Sequence, residues 1–328
     1  MSGDNVPTAL PWQRAAWARV CARVRGDQLS HALVFAGLPG IGKRRFAKAL
    51  AASVLCHSTR SGAACGECAS CSRIAAGTHP DLLRLSPEEA GKRIGIEAVR
   101  EFAAHLLLTS QYRRGRVGII EPAEAMTLNA ANSLLKTLEE PPAGSHIFLV
   151  ADHLMSLPAT IRSRCQIIDP GHPSQEAARA WLHEQGAKEA AEAIAEFTHA
   201  PLQALELARN DYVERKQAWA RQVVALLEGE DDVVAVSEQW QKENLTLLLA
   251  WLYTWALDLL RLHALGADAN LYNDGWRQEL LRQRARCDIQ KTMSLTDAIV
   301  DARVQLEGQL NRQSLLENVL ITWTATDH

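Results

Sequence analysis

The chain has 328 residues, of which 47% are hydrophobic and 22% charged, and its formal net charge is −3 at neutral pH. This length exceeds what one hydrophobic core normally serves, so two or three domains are expected. The slightly acidic balance argues against broad electrostatic attachment to DNA, and any nucleic-acid contact is expected through a local patch or through partner subunits.

The sequence pattern does not indicate membrane insertion or secretion. The apolar region 245–262 is interrupted by Asp258 and Arg261, so no membrane span is predicted. The N-terminus lacks the pattern of a signal peptide. A reducing cytoplasm is therefore the expected location, where clustered cysteines indicate metal binding rather than disulfides.

The first predicted elements are a strand, a glycine-rich loop and a helix. Residues 32–36 form a short apolar run typical of a buried strand. The loop at 37–44 has the spacing of a phosphate-binding loop, and its candidate nucleotide-binding residues are Gly37, Gly40, Gly42 and Lys43. Position 44 is arginine instead of the hydroxyl residue that binds Mg²⁺. The loop thus retains a phosphate cradle and loses a metal ligand, which leaves nucleotide occupancy open; the alternative is a glycine-rich turn without a ligand.

Four of the seven cysteines cluster directly after the predicted helix. Their spacing is C-x8-C-x2-C-x2-C, and they are Cys56, Cys65, Cys68 and Cys71. Four sulfurs leave no open coordination position, which is typical of structural zinc. An iron–sulfur cluster is the chief alternative because C-x2-C-x2-C also occurs there. Zinc is predicted to hold an insertion, 56–71, and to have no catalytic role.

Short strand candidates then alternate with helical patterns up to residue 170. They are residues 82–85, 117–120, 147–150 and 166–168. This alternation predicts an α/β domain over 1–170, with a parallel sheet and helices on both faces. The segment Pro-Gly-His-Pro at 170–173 is typical of a break between domains. Beyond it the pattern becomes helical, which predicts all-α domains at 171–209 and 210–328. Six of the nine tryptophans lie in the last segment and are predicted to be core residues.

The strand at 117–120 is followed by a second incomplete ATPase motif, the one that normally supplies the Mg²⁺ ligand and the general base. In phosphate-binding-loop ATPases a strand ends in an acid that holds Mg²⁺, often followed by a glutamate that activates water. Here the strand ends in Glu121, which has the metal-side role, and Pro122, which cannot polarise water. Because the hydroxyl at position 44 and the general base are both missing, ATP hydrolysis by this chain is not expected.

Several motifs together identify a family. They are the phosphate-binding loop, the cysteine cluster followed by Gly-Thr-His-Pro-Asp at 77–81, and the segments 132–142 (Asn-Ser-Leu-Leu-Lys-Thr-Leu-Glu-Glu-Pro-Pro), 159–165 (Ala-Thr-Ile-Arg-Ser-Arg-Cys) and 311–317 (Asn-Arg-Gln-Ser-Leu-Leu-Glu). In this combination the chain resembles, over essentially its whole length, the δ′ family of bacterial DNA polymerase III clamp-loader subunits. The Leu-Glu-Glu-Pro-Pro and Ser-Arg-Cys segments are specific to clamp-loader ATPases and their inactive relatives.

The resemblance implies an architecture and partners. It implies a RecA-like AAA+ domain that carries the zinc-knuckle insertion, a small helical lid and a helical collar. It also implies a hetero-pentamer with γ/τ motor subunits and δ, which loads the sliding clamp onto primer-template DNA. In this family δ′ does not hydrolyse ATP and supplies the arginine of its Ser-Arg-Cys motif to a neighbouring ATP. The corresponding residue here is Arg164, and a surface salt bridge is its alternative role.

The chain departs from the family's motor members, and two other functions stay open. Motors keep Ser or Thr at position 44 and an acidic pair at 121 and 122, and their lid arginine is missing from 201–203 here. These differences favour δ′ over a catalytically active γ/τ-like ATPase, which is the first alternative. The second is a metal-dependent redox or nucleic-acid module built on the cysteine cluster.

Overall fold

A computed structural model describes residues 6–89, 91–112, 114–187, 200–208, 212–306 and 311–325. The described residues form two compact units. The first comprises those up to 187 together with 200–205, and the second comprises those from 206 onward. The first unit is α/β and the second is all-helical, as the sequence predicted. The separate lid at 171–209 stays a prediction, because residues 188–199 and 209 lie outside the described part of the chain.

Five parallel strands form the centre of the first unit. They are β1 (Ala32–Ala36), β2 (Leu82–Leu85), β3 (Arg116–Ile120), β4 (Ser145–Ala151) and β5 (Gln166–Ile168). Their spatial order is β2-β3-β4-β1-β5. Val34 of β1 lies opposite Leu149 on one side and Ile167 on the other. All five predicted strands are confirmed. β1 and residues 117–120 of β3 are continuous apolar runs because a parallel sheet is covered on both faces.

Helices cover both faces of this sheet. The helices are α1 (Arg14–Arg25), α2 (Lys43–Leu55), α3 (Ala69–Ala75), α4 (Ile96–Leu106), α5 (Leu128–Glu139), α6 (Ala159–Arg162), α7 (Gln175–Glu184) and α8 (Pro201–Ala208), which begins in the first unit. Side chains of α1 to α6 pack on the sheet. Successive residues of β1 point to opposite faces. Val34 therefore packs with Leu134 of α5, whereas Phe35 packs with Phe46 of α2. The sheet thus separates two apolar cores.

The second unit is built around buried tryptophans. Its helices are α9 (Tyr212–Glu228), α10 (Val233–Trp240), α11 (Leu245–Leu265), α12 (Arg277–Arg286), α13 (Ile289–Gln305) and α14 (Arg312–Ala325). Five of the six tryptophans predicted as core residues are buried: Trp219, Trp240, Trp251, Trp255 and Trp323. The indole N–H of Trp255 donates to Gln283 Oε1 at 3.0 Å. Each such bond satisfies a polar atom that burial would otherwise penalise.

One helix of the second unit, α11, is long and apolar enough by length and composition to cross a membrane. Of its most apolar 18-residue window, 61% is buried inside the protein. Asp258 lies within it, fully buried, and accepts hydrogen bonds from the backbone N–H groups of Tyr272 and Asn273 at 2.8 and 2.7 Å. This burial and this polar anchor are those of a core helix.

Gly118 in β3 allows a close approach between the sheet and α4. A Cβ built at this position would lie 2.3 Å from the ring carbon Cζ of Phe102. We expect Gly118→Ala to lower the free energy of unfolding by about 1–3 kcal/mol, because the ring must move within a packed core. The measurement is urea denaturation followed by circular dichroism.

The matched control is Gly95→Ala, where an added Cβ meets no atom within 4 Å and φ is −79°. A cost for Gly118→Ala no larger than that of the control would contradict this account of the β3–α4 contact.

Candidate functional site

The glycine-rich loop connects β1 to α2, as predicted. Gly37, Gly40 and Gly42 have φ values of 149°, 76° and 93°, in the region that favours glycine. Added Cβ atoms at Gly40 and Gly42 would lie 2.8 Å from Ala200 Cβ and 2.4 Å from Leu10 Cδ1. Conformation and packing therefore require these glycines whether or not a phosphate binds.

Lys43, the candidate phosphate-binding lysine, is held by its own protein. Its Nζ donates to the carbonyl oxygens of Gly37 and Leu38 at 2.6 and 2.7 Å. It also forms an ion pair with Asp152 Oδ1 at 2.6 Å, and its side chain is only 3% exposed. An ammonium group has three N–H donors, and these three oxygens use all of them. A phosphate could reach Lys43 only by displacing them.

Hydrogen bonds from other segments of the first unit also hold the glycine-rich loop. The indole N–H of Trp12 and the amide of Gln13 donate to the carbonyl oxygen of Ile41 at 2.9 and 3.1 Å. At the start of α8, the backbone N–H of Leu202 donates to the carbonyl oxygen of Gly40 at 3.1 Å. The loop is thus tied to the N-terminal segment and to α8, and its conformation is fixed by the protein alone.

Glu121, the candidate metal-side carboxylate, lies at the end of β3 among cations. It is 4% exposed, and its Oε1 accepts from Arg84 Nη2 at 2.7 Å and lies 3.8 Å from Lys48 Nζ. Burial lowers the pKa of Lys48, Glu121 partly offsets this, and the charges of Arg84 and Arg44 lower it further. Arg84 and Lys48 already balance the charge of this carboxylate, and their positive charges would repel a divalent cation. The residues present therefore do not fit Mg²⁺.

Arg164, the candidate arginine finger, lies between α6 and β5 and is paired with the end of α5. Its Nε donates to Glu139 Oε1 at 2.6 Å, and its Nη2 contacts the same oxygen. Its Nη1 donates to the Thr160 carbonyl at 3.1 Å and lies 3.4 Å from Ser163 Oγ. The arginine side chain is 35% exposed and that of Glu139 is 50% exposed. The guanidinium is therefore accessible from outside the chain.

Local sequence explains why Glu139 lies at this position. Helix α5 begins after Thr127, whose hydroxyl accepts from the backbone N–H of Ala130 at 3.2 Å, a typical N-cap. It ends at Glu139 because Pro141 disfavours the helical conformation of the preceding residue, Glu140. The Leu-Glu-Glu-Pro-Pro segment thus places a carboxylate at the C-terminus of α5, beside Arg164.

The four predicted metal ligands lie together. The sulfur atoms of Cys56, Cys65, Cys68 and Cys71 are within 4.8 Å of one another. The sulfur of Cys56 is 3.6, 3.9 and 3.7 Å from those of Cys65, Cys68 and Cys71. A tetrahedral ion with metal–sulfur bonds of about 2.3 Å separates its ligands by roughly 3.8 Å. The cluster could therefore hold one metal ion, whereas several irons with bridging sulfides would spread the cysteines further apart.

Backbone N–H groups point at these sulfurs. Those of Cys65 and Cys68 donate to the sulfur atoms of Cys56 and Cys65 at 3.3 and 3.4 Å. Burial acts to raise the pKa of the Cys68 thiol, but N–H groups, led by that of Cys71, bring it to about 6. Burial raises the pKa of Cys56. N–H donors that stabilise thiolates favour a metal site.

A buried polar chain joins the cysteine cluster to the sheet. Ser70 of α3 donates to the carbonyl oxygen of Leu55 at 2.8 Å and lies 2.9 Å from His79 Nε2. The backbone N–H of Asp81 donates to His79 Nδ1 at 3.1 Å. Nε2 of His79 is thereby the donor to Ser70, and burial lowers the pKa of this histidine. The Gly-Thr-His-Pro-Asp motif at 77–81 thus anchors the cysteine insertion beside β2.

Four contacting residues were not singled out as site residues by the sequence. Asp152 pairs with Lys43, Glu139 pairs with Arg164, and Lys48 and Arg84 surround Glu121. Asp152 had a weak signal, because it is adjacent to the end of β4. Glu139 had a stronger one, because it belongs to the Leu-Glu-Glu-Pro-Pro segment. Lys48 and Arg84 had none.

Comparison with known families and proteins covers nearly the whole chain. A family model described as DNA polymerase III, delta subunit, matches residues 12–171, and one described as DNA polymerase III, delta subunit, C terminal, matches residues 210–325. DNA polymerase III subunit delta' of Pseudomonas aeruginosa is 34% identical over 321 residues, which cover 96% of this chain and 97% of that protein. The Escherichia coli subunit of the same name is 29% identical over 315 residues, with 95% and 94% covered.

A tau/gamma subunit matches a smaller part of the chain. DNA polymerase III subunit tau/gamma of Haemophilus influenzae is 32% identical over 142 residues, which are 43% of this chain and 20% of that protein. The Pseudomonas aeruginosa and Escherichia coli relatives, which match over nearly their whole length, are both delta' subunits. This chain belongs to the family of DNA polymerase III subunit delta' proteins.

Proposed function

We propose that the chain is the δ′ stator subunit of a bacterial DNA polymerase III clamp loader, in the cytoplasm. It assembles with γ/τ motor subunits and δ into a hetero-pentamer that places the sliding clamp on primer-template DNA. It donates Arg164 to ATP on a neighbouring motor. One contrast supports this proposal above all. Lys43, the cation of its own nucleotide loop, is fully engaged by protein oxygens, whereas Arg164 is partly exposed to solvent.

Hydrolysis by the chain itself is not expected. Arg44 offers no hydroxyl to a metal, and Glu121 is neutralised by Arg84 and Lys48. Pro122 follows where motor subunits have the acid that activates water. The active γ/τ-like alternative would require Mg²⁺ to enter a cationic environment and ATP to displace Asp152 from Lys43.

Arg164 fits the role of a finger in trans by chemistry and exposure. A guanidinium is permanently charged and planar, so it can bind two phosphate oxygens at once. It lies at the edge of the first unit, and its contacts with Glu139 and Thr160 leave N–H groups available. The collar at 210–328 would assemble the ring, and the lid at 171–209 would connect the collar to the α/β domain.

Zinc is the ion proposed for the four cysteines. Four thiolates fill all four coordination positions of one tetrahedral ion and leave none for water, which is typical of a structural site. The ion would hold the insertion between α2 and β2 and would take no part in catalysis. The redox alternative requires iron at these sulfurs.

The isolated chain should not hydrolyse ATP. We expect phosphate release to equal that of buffer, because the metal ligand and the general base are both missing. Lys43→Ala should leave this background unchanged, and a purified γ/τ motor subunit provides the positive control. A measurable rate that Lys43→Ala abolishes would overturn the stator role.

Replacement of Arg164 should impair hydrolysis on the neighbouring subunit. The assay is a reconstituted loader whose motors carry alanine at their own Ser-Arg-Cys arginines, so that the remaining turnover reports the interface with this chain. Arg164→Ala should leave assembly intact by size-exclusion chromatography and should lower clamp- and DNA-stimulated ATP turnover by about 10³-fold or more.

Arg164→Lys separates charge from shape in the same assay. It keeps one positive charge and loses the planar fork, so it should restore only part of the rate. Wild-type turnover in the Arg164→Ala loader would show that this residue is not the finger.

Metal analysis should find about one zinc per chain in a colourless protein. Cys68→Ser should lose the metal and lower thermal stability, because the insertion loses its cross-link. Cys165→Ser is the matched control, since Cys165 is a buried cysteine outside the cluster and its replacement should retain the metal. Stoichiometric iron, or zinc retained in Cys68→Ser, would contradict the zinc site.

A further inference from the structure

The Leu-Glu-Glu-Pro-Pro segment, 138–142, has no role in the function proposed above, yet its first glutamate contacts the finger. We infer that Glu139 is a positioning residue for Arg164. It holds the guanidinium by one edge so that the opposite edge faces the triphosphate of the neighbouring subunit. This inference rests on the proposed function and names a residue that acts through the finger.

In the pair of Arg164 and Glu139, one edge of the guanidinium is bound by the carboxylate and the opposite edge is not. A guanidinium has five N–H groups. Glu139 Oε1 takes one from Nε and one from Nη2, and the Thr160 carbonyl takes one from Nη1. Two N–H groups remain, one on each terminal nitrogen, and the one on Nη1 makes only a long hydrogen bond, 3.4 Å, to Ser163 Oγ. A terminal nitrogen pair matches two oxygens of a phosphate.

The two anchors are parts of the folded α/β unit. Glu139 is the last residue of α5 and Thr160 lies in α6, and both helices pack on the same face of the sheet. A free arginine side chain would lose its rotamer freedom on reaching a phosphate. Holding it in one conformation beforehand reduces that loss and fixes the approach of the charge.

A competing role for Glu139 predicts the opposite effect. A carboxylate that merely neutralised Arg164 would compete with phosphate for the guanidinium, and its removal would accelerate hydrolysis. The position of Glu139 favours positioning, because it binds the Nε side and leaves the terminal edge open. The exposed fractions, 35% for Arg164 and 50% for Glu139, leave room for a second anion at that edge.

The test uses the same reconstituted loader, in which only the interface with this chain keeps a finger. Glu139→Ala should lower kcat for ATP by about three- to tenfold through misplacement of the charge, with a smaller change in KM. Glu139→Gln should stay close to wild type, because its amide oxygen still accepts from Nε. Glu140→Ala removes the adjacent exposed carboxylate and should have no effect.

A double variant distinguishes positioning from a general structural role. In the Arg164→Ala background, adding Glu139→Ala should cause no further loss, because Glu139 acts only through the arginine. A further loss would assign Glu139 a structural role and overturn the inference, as would a faster rate or an unchanged rate for Glu139→Ala alone. If Arg164→Ala itself has no effect, the proposed function fails instead, so the two failures are distinguishable.

Discussion

The arrangement of the glycine-rich loop depends on Lys43, whose ammonium group is held by three oxygens of its own protein. In a working loop this ammonium meets the outer phosphates of ATP. Here the Gly37 and Leu38 carbonyls and the Asp152 carboxylate occupy the same three N–H groups. Trp12 and Leu202 fasten the loop from the other side. The conformation of the loop is thus held by contacts within the protein.

The charges around Glu121 and the charges around Arg164 are arranged in opposite ways. Around Glu121, where a motor subunit would hold Mg²⁺, Arg84 and Lys48 already supply positive charge. At Arg164, positive charge is held at the surface by an exposed carboxylate. Exposed pairs of this kind are weak, about 0–1 kcal/mol, so a partner's triphosphate can compete for the free edge of the guanidinium. The first arrangement supports the proposed absence of hydrolysis in cis, and the second supports the proposed assistance in trans.

Sequence patterns predicted those features that depend on local spacing. The strands followed from short apolar runs, the loop from its glycines, and the grouping of Cys56, Cys65, Cys68 and Cys71 from two-residue gaps. The sequence also shows two departures from the ATPase motifs, at Arg44 and at Pro122, whose effect on hydrolysis stays a prediction. Such patterns are predictive because the residues involved are close in sequence and lie in the same secondary-structure element or turn.

Contacts between distant segments could not be predicted in this way. Glu121 lies 37 residues from Arg84, and Arg164 lies 25 residues from Glu139. Their pairing depends on the strand order of the sheet, which brings the end of β3 to β2 and the end of α5 to α6. Sequence motifs assigned Glu121 a metal-side role and Arg164 the role of a finger, with a surface salt bridge as the alternative for Arg164. They could not identify Arg84 or Glu139 as their partners, because a motif does not specify contacts with distant segments.

The most direct test of the central claim is an experimental structure of the reconstituted loader with clamp, primed DNA and a non-hydrolysable ATP analogue. The Arg164 guanidinium should lie within hydrogen-bond distance, about 3 Å, of the γ-phosphate on the adjoining motor, with Glu139 still on its Nε edge and Lys43 still bound to Asp152. A Mg²⁺–nucleotide complex on Lys43 and Glu121, or another side chain of this protein on the motor's γ-phosphate, would contradict that claim.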